Sequence, residues 1–168
     1  IEMVLMGFMV LSTINFATHF LALRERSASA YLRDLEASAS VTVILLSALL
    51  VSALLAWQQT YDDPLEALRH GMFNTISVAS STGFMTEDYS LWPVFAPLWM
   101  MFLACVASSA GSTGGGIKMV RALILVKQAG RELRRLIHPQ AVMPLTINGG
   151  TVENRVIFAV LEIGRAHV

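Results

Sequence analysis

GSTGGG, residues 111–116, lies between a long apolar run and a segment that begins Ile117-Lys118. Each glycine in a helix interior costs roughly 1 kcal/mol relative to alanine, so a stretch this rich in glycine disfavours continuous helix. At membrane depth, non-helical backbone is tolerated only where it lines a water-filled cavity or is buried in protein. The stretch therefore predicts a break in a membrane helix beside a pore or transport path.

The composition is typical of an integral membrane protein. The chain has 168 residues and a mean hydropathy of +0.60, with 55 % hydrophobic and 14 % charged residues. Soluble domains carry about 25 % charged residues, so the class is membrane rather than soluble. The net charge of zero provides no overall attraction to nucleic acid. A single cysteine excludes an intrachain disulfide.

Both ends of the sequence suggest a piece of a longer protein. Ile1 is not a methionine and already lies in an apolar segment, and the apolar run at 156–161 stops soon after it begins. Residues 163–168 do not continue that run, and they can be back-translated into a common sequencing-adapter read. We therefore expect a fragment of a longer reading frame that ends in a non-native tail at 163–168.

Two apolar stretches lie near the start of the chain. Residues 1–23 predict most of one transmembrane helix, and residues 24–39 predict a polar loop after it. Residues 41–57 carry no charge and reach the lower end of the ~17–25 residues that span a bilayer. The neighbouring residues 37–40 can extend this second span.

A third helix is too short to cross a bilayer. Asp63 is a suitable N-cap and Pro64 a suitable first residue for a helix that continues over 65–78. Such a helix rises about 22 Å, against a hydrocarbon core of about 30 Å. Because its charged residues lie in its first two turns, it enters the membrane from one side and stops at the segment 80–86. A further apolar run, 92–107, then leads to the glycine cluster.

The charges are distributed unevenly and predict an orientation. Segment 61–91 has five acidic residues and one arginine, whereas segment 117–138 has six lysines or arginines and one acidic residue. The positive-inside rule places 117–138 in the cytoplasm. The loop 24–36, with three arginines, lies on the same side.

The predicted order of elements is a helix, a re-entrant helix, a short glycine-containing segment and another helix. This order is that of the M1–pore helix–M2 unit of cation channels. The C-terminus of the short helix offers a partial negative charge to a cation. The segment after it can replace the hydration shell of an ion with backbone carbonyls, and Gly83 permits the unusual backbone angles this requires. The hydroxyls of Ser81 and Thr82 can add oxygen ligands, and a site without carboxylates suits a monovalent cation.

Two stretches carry a resemblance to a known family. SSTGFMTEDYSLWP (80–93) and SSAGSTGGGIKMVRALILVKQAGRELRRLIHP (108–139) closely resemble the Trk/Ktr/HKT superfamily of potassium-uptake transporters, nearest the bacterial TrkH type. INFATHFLAL (14–23) resembles the end of the preceding repeat. That family has four M1–P–M2 repeats around one pore. The resemblance implies an all-α integral membrane fold that comprises the end of repeat two, repeat three and the start of repeat four.

The resemblance also implies roles for particular residues. One quarter of a selectivity filter would be formed by Ser80, Ser81, Thr82, Gly83 and Phe84, with potassium at Ser81, Thr82 and Gly83. An intramembrane gate loop at 108–117 would interrupt M2. Its residues are Gly111, Ser112, Thr113, Gly114, Gly115 and Gly116, with Lys118 beside it.

The organisation and partners implied by the resemblance follow from these roles. The repeat would occupy 40–126, a basic cytoplasmic connector 127–150, and the next transmembrane helix would start at 151–162 with Thr151 as a cap. The transporter would form a homodimer in the lipid of the cell (inner) membrane and bind a cytoplasmic nucleotide-binding subunit of the TrkA/KtrA type. It would transport potassium without a bound cofactor, would bind no nucleic acid and would not be an enzyme.

Other interpretations of these motifs remain open. The glycine run is also compatible with a close helix-packing face, although consecutive glycines exceed what packing needs. A phosphate-binding loop fits poorly, since Ile117 separates Gly116 from Lys118 and a membrane helix precedes the run. Residues 80–84 are also compatible with a plain turn. Lys118 serves either as a gate sensor or as a positive-inside anchor.

The remaining polar residues and the function also have alternatives. Asn15 and His19 are polar groups at a helix end and serve either function or packing. Glu87 and Asp88 either concentrate cations at the outer mouth or lie in a solvated loop. A secondary cation transporter with broken helices, sodium-permeable or proton-coupled, is the second hypothesis, although residues 92–116 contain no carboxylate. A non-transporting scaffold subunit is the third.

Overall fold

The computed structural model describes residues 1–137, 146–147 and 150–151. These residues form seven α-helices, a 3₁₀ turn at Tyr89–Leu91 and one antiparallel pair of two-residue strands. The helices are α1 (Glu2–Ser12), α2 (Phe16–Glu25), α3 (Ser29–Arg33), α4 (Leu35–Trp57), α5 (Pro64–Ala79), α6 (Phe95–Val106) and α7 (Met119–Ile137). The strands are β1 (Thr146–Ile147) and β2 (Gly150–Thr151). The chain divides into two compact units, Ile1–Met119 and Val120–Val168.

Helix α4 is the longest helix of the described chain. Its 23 residues rise about 35 Å at 1.5 Å per residue, which is enough to cross a bilayer. Among the described helices, α4 alone is long and apolar enough to span a membrane. If the bent pair α1 and α2 is counted as one span, there are two. Helix α4 begins at Leu35, because Asp34 caps it by accepting a hydrogen bond from the Glu36 N–H at 3.0 Å. The predicted span at 41–57 is therefore helical throughout, and the helix starts earlier than predicted.

The short helix predicted at 65–78 is confirmed as α5, Pro64–Ala79. Asp63 is its N-cap, with a carboxylate oxygen 2.9 Å from the Leu65 nitrogen. Pro64 occupies the first turn, where its missing N–H has no cost. Helix α5 ends at Ala79 because the chain leaves the helical conformation at Ser81, which has φ +59°.

Helix α5 is the centre of the first unit. One apolar cluster joins α5 to α1, α4 and α6. A second cluster joins the C-terminal half of α4 to α5, α6 and the chain before α6. The face of α4 that packs inward includes small residues, which allow α5 to approach closely. The buried residues of these clusters include Met6, Met9, Ile44, Ala48, Val51, Leu55, Phe73, Ile76, Met100 and Leu103.

The prediction of one helix over residues 1–23 is wrong. The segment forms α1 and α2, whose axes differ by 102°. Helix α1 ends at Ser12, and Asn15 caps α2 by accepting a hydrogen bond from the Ala17 N–H at 2.8 Å. An asparagine N-cap starts a new helix in a new direction, and hydropathy alone does not register it.

Three other boundaries also differ from the predictions. The loop expected at 24–39 contains α3 and the first residues of α4. The connector expected at 127–150 begins as helix, since α7 continues without a break to Ile137. Thr151 lies in β2 and does not cap a helix there. The transmembrane helix expected over 151–162, beyond Thr151, and the tail expected at 163–168 lie outside the described residues.

The described part of the second unit is mainly α7, an amphipathic basic helix. It bears five arginines or lysines against one acid, Glu132. Glu132 accepts hydrogen bonds from Gln128 at 2.8 Å and Arg135 at 3.3 Å, one turn away on each side. Such pairs contribute only about 0.2–0.5 kcal/mol each on an exposed helix, so most of the positive charge remains uncompensated within α7.

The close approach of α4 and α5 is testable at Gly71. A Cβ at Gly71 would lie 2.9 Å from the Cα of Ser52, so a valine there must push the two helices apart. Overpacking of this kind costs typically about 1–3 kcal/mol. We expect Gly71→Val to lower the thermal midpoint of the detergent-solubilised full-length protein. Gly7→Val is the control, since a Cβ at Gly7 meets nothing within 4 Å, and equal midpoints for both variants would contradict the packing described here.

Candidate functional site

The segment that follows α5 is exposed and has an unusual backbone. Ser81, Thr82, Gly83 and Phe84 all lie on the surface of the described chain, whereas Ser80 is buried. Ser81 and Gly83 have positive φ angles of +59° and +82°. A left-handed conformation costs a non-glycine residue about 1–2 kcal/mol, so Ser81 holds a strained backbone. Strain of this kind concentrates at functional sites.

The backbone carbonyls of this segment are free, whereas its hydroxyls are not. In the part of the chain that the structure describes, the carbonyls of residues 81–84 accept no hydrogen bond. The Thr82 hydroxyl lies 2.7 Å from that of Ser80, and Ser81 Oγ accepts a hydrogen bond from the Gly115 N–H at 3.1 Å. The carbonyls are therefore the unpaired oxygens of this segment, since the Thr82 hydroxyl pairs with Ser80 and the Ser81 hydroxyl with the loop.

The far end of the segment is anchored to α5 by a buried amide. Asn74 is fully buried, and its side-chain oxygen accepts a hydrogen bond from the Thr86 N–H at 3.0 Å. The Thr86 hydroxyl lies 2.9 Å from His70 Nδ1 and 3.3 Å from Asn74 Nδ2. The segment is thus hydrogen-bonded at both ends, at Ser80 and at Thr86.

The acidic residues after the segment are exposed. The hydroxyl and the N–H of Ser90 both donate to Asp88 and hold the pKa of that carboxyl below its ordinary value. Asp88 is therefore ionised at neutral pH. Its carboxylate lies in a solvated loop, and the prediction that it attracts cations stays open.

The glycine-rich loop, residues 107–118, separates α6 from α7 and contacts the predicted filter segment, residues 80–84, at Ser81. The Gly115 N–H donates to Ser81, and the Gly115 carbonyl accepts from the Ser108 hydroxyl at 2.6 Å. Gly114 is buried so closely that a Cβ there would lie 2.5 Å from the Cβ of Ser108. The second half of the loop is thus joined to the end of α5.

The first half of the loop docks on the break between α1 and α2. The Ser109 N–H donates to the Thr13 carbonyl at 2.9 Å, and the Phe16 N–H donates to the Gly111 carbonyl at 3.2 Å. The Thr113 hydroxyl donates to the Ser12 carbonyl at 3.1 Å. Two unwound segments therefore satisfy each other's backbone groups, which membrane burial requires.

The end of the loop is turned tightly onto α6. Gly116 has φ +92°, and a Cβ there would lie 2.4 Å from the Cys105 carbonyl oxygen. The Ile117 N–H donates to that same carbonyl at 2.6 Å. Lys118 also has a positive φ, +77°, and its ammonium donates to the Gly114 carbonyl. The loop therefore carries its own cation, folded back onto its backbone.

Comparison with known proteins shows the family of this chain. A family model described as TrkH, cation transport protein, matches residues 1–163. The chain belongs to the TrkH family of cation transport proteins.

Individual TrkH proteins match over most of this chain. The Trk system potassium uptake protein TrkH of Halomonas elongata is 34 % identical over 168 residues, which is 100 % of this chain and 35 % of that protein. TrkH of Vibrio parahaemolyticus is 35 % identical over 162 residues, covering 95 % of this chain and 33 % of that protein. The chain spans about a third of the length of these relatives.

The TrkH fold is also matched directly. The crystal structure of the potassium transporter TrkH from Vibrio parahaemolyticus aligns with a TM-score of 0.92 at 34 % identity, over 99 % of this chain and 36 % of that one. The predicted all-α membrane fold with an M1–pore helix–M2 repeat is therefore confirmed. In TrkH terms, α4 is M1, α5 is the pore helix, and α6 and α7 are the two parts of M2. The chain is part of an integral membrane protein.

The structure brings the two predicted site segments of this chain together, because Ser81 and Gly115 share a hydrogen bond. Asn15 belongs to this assembly as well, since its side-chain oxygen would lie 3.0 Å from a Cβ at Gly111. The His19 ring nitrogens lie 2.9 Å from the Tyr31 hydroxyl and 3.0 Å from the Leu11 carbonyl oxygen.

Sequence reasoning missed the residues that hold the two TrkH segments in place. Asn74 lies one turn after His70 on α5, a spacing that presents both side chains to one neighbour. Glu36 is the only charged residue of α4, and its carboxylate accepts a hydrogen bond from the Ala110 N–H at 2.6 Å. A lone acid at the start of an apolar helix was the available signal. It is also the ordinary signature of a helix N-terminus.

The tight end of the TrkH loop is testable at two adjacent glycines. Gly116→Ala places a Cβ against a backbone carbonyl and strains a left-handed residue, at a cost of at least about 2 kcal/mol. We expect it to lower the thermal midpoint of the full-length protein strongly. Gly115→Ala is the matched control, since its Cβ would meet only Ser81 Oγ at 3.5 Å. A tolerated Gly116→Ala would show that the loop does not adopt this turn.

Proposed function

We propose that this chain supplies one M1–pore helix–M2 repeat of a potassium-translocating pore. The observation that carries the proposal is the exposed segment 81–84, whose carbonyls accept no hydrogen bond within the described chain. Carbonyl oxygens replace the hydration shell of a potassium ion, and the C-terminal end of α5 adds a partial negative charge beside them. Potassium would be bound at Ser81, Thr82 and Gly83, mainly through the backbone.

The loop 107–118 is proposed as the gate of this pathway. It is non-helical within M2, and its contacts join it to the filter segment at Ser81 and to the helix break at Thr13. Its backbone carries several glycines, so a change of conformation meets few steric barriers. Movement of this loop would open or close the path below the filter.

The whole protein is proposed to act as a potassium transporter rather than an enzyme, without a cofactor. The names of its relatives describe a Trk system for potassium uptake, which supports this proposal. We further propose a homodimer in the cell (inner) membrane, with 117–138 in the cytoplasm. The basic charge of α7 supports that orientation and suits contact with a nucleotide-binding subunit of the TrkA/KtrA type.

The filter assignment is testable at Gly83. A Cβ at Gly83 meets nothing within 4 Å, so Gly83→Ser leaves room for folding and strains only the backbone at φ +82°. We expect the full-length Gly83→Ser variant to assemble normally but to lose preference for potassium over sodium. Growth at low potassium in a strain without other uptake systems, together with ion competition in vesicles, measures this.

The control for Gly83→Ser is Gly7→Ser, which also places a side chain in open space, on α1 away from the filter segment. It should transport with unchanged selectivity. Unchanged selectivity in both variants, at normal expression, would remove Gly83 from the filter.

The gate assignment is testable at Lys118. Its ammonium holds the Gly114 carbonyl, and a hydrogen bond to a charged group contributes about 1.5–3 kcal/mol. We expect Lys118→Met to loosen the loop and raise potassium flux in proteoliposomes up to about tenfold, since ~1.4 kcal/mol is a factor of ten. Arg121→Met is the control, because it removes a positive charge from exposed α7. Equal flux in both variants would favour Lys118 as a topological anchor.

A further inference from the structure

Glu36 places a buried carboxylate against the backbone of the glycine-rich loop. Glu36 is only 7 % exposed, and its Oε1 accepts a hydrogen bond from the Ala110 N–H at 2.6 Å. The two residues are 74 positions apart in the chain. The contact therefore joins M1 to the interruption of M2 within the first unit.

Glu36 is not the cap of its own helix. Asp34 has that role, because it accepts the hydrogen bond from the Glu36 N–H, and its second oxygen accepts one from the Thr18 hydroxyl at 2.6 Å. Helix α4 is thus started and tied to α2 without the Glu36 carboxylate. The Glu36 carboxylate instead contacts the loop at Ala110.

A second contact repeats one turn along α4. Ser40 is fully buried, and its hydroxyl lies 3.1 Å from that of Ser109, the residue before Ala110. Positions four apart on a helix lie on one face, so α4 presents Glu36 and Ser40 as two successive attachment points. Of the two contacts, the one at Glu36 is charge-assisted and is therefore the stronger.

Burial of a carboxylate is unfavourable unless hydrogen bonds compensate it. An apolar residue at position 36 would lengthen the apolar face of α4 without that cost. A carboxylate at this position suits a contact that has to be specific and strong, and its described partner belongs to the loop.

We propose that Glu36 is a positioning residue that latches the loop 107–118 to α4 and so limits opening of the path. The proposal rests on the gate function assigned to the loop above. With the Glu36–Ala110 hydrogen bond formed, Ser109 in the first half of the loop keeps its contacts with Thr13 and Ser40. Without this hydrogen bond, residues 109–113 adopt other conformations. The hydrogen bond from Gly115 to Ser81 then transmits the change to the filter segment.

The test uses the full-length protein with Glu36→Ala, Glu36→Gln and Asp34→Ala. Two measurements are made on each: hydrogen exchange of a peptide that contains residues 107–118, and rubidium flux into proteoliposomes. Glu36→Ala should speed exchange at Ala110 about tenfold or more, since opening of a hydrogen bond to a charged acceptor limits exchange there. Its flux should rise several-fold.

The other variants separate a latch from general destabilisation. Glu36→Gln keeps an oxygen acceptor at the same reach but removes its charge, so its exchange and flux should lie between the wild-type and the Glu36→Ala values. Asp34→Ala removes the cap of α4 but no contact with the loop, so it should lower the thermal midpoint and leave loop exchange unchanged. If Glu36→Ala does not fold, Glu36→Asp gives the same readouts, because its shorter side chain retracts the carboxylate from Ala110.

The outcomes distinguish this inference from the proposed function. Wild-type exchange at Ala110 in Glu36→Ala would overturn the latch, whatever the flux. Faster exchange with unchanged flux would overturn its control of opening. A wild-type protein that carries no rubidium or potassium would overturn the proposed function instead, while the exchange data would still decide whether Glu36 holds the loop.

Discussion

The structure depends on one constraint: backbone groups that leave a helix inside a membrane need partners within the protein. Residues 107–118 form such a segment between the two parts of M2, and residues 13–15 form another between α1 and α2. Each unwound segment supplies donors and acceptors to the other, as the hydrogen bonds from Ser109 to Thr13 and from Phe16 to Gly111 show. Each break is satisfied only in part by its own helix, through bonds such as Ile14 N–H to the Leu11 carbonyl and Ile117 N–H to the Cys105 carbonyl. The fold of the first unit is therefore built so that these two breaks meet beside α5.

The short helix α5 connects this loop to the filter segment. Its apolar surface is covered by α1, α4 and α6, which fixes where its C-terminus ends. The segment that follows is held at Thr86 by the buried Asn74 and at Ser81 by the loop. Between these points, the carbonyls of residues 81–84 accept no hydrogen bond within the described chain. The proposed filter would need a fixed backbone, whereas the proposed gate loop would need the freedom to move. The hydrogen bond from the Gly115 N–H to Ser81 connects these two segments.

Local sequence signals predicted the elements whose causes are local. Asp63 and Pro64 marked the start of α5 because a cap and a first-turn proline act within a few residues. The apolar run of α4 predicted a membrane span, and the consecutive glycines predicted the interruption of M2. The bend at Asn15 was missed, since asparagine within an apolar run has the same hydropathy whether it caps a new helix or lies inside one. Glu36, Ser40 and Asn74 were also missed, because their hydrogen-bond partners are between 12 and 74 residues away in the chain.

The sequence by itself determined the membrane class, the short helix before residues 80–86 and the interruption at the glycines, along with the family they resemble. These features follow from hydropathy, helix length, capping and glycine content, which are properties of short stretches. Only the tertiary structure decided that the Ser81 hydroxyl bonds to the loop, that Lys118 folds back onto Gly114, and that Glu36 attaches α4 to Ala110. The physical reason is that a buried polar group is stabilised by whichever partner the fold brings within hydrogen-bonding distance, and sequence spacing does not encode that distance.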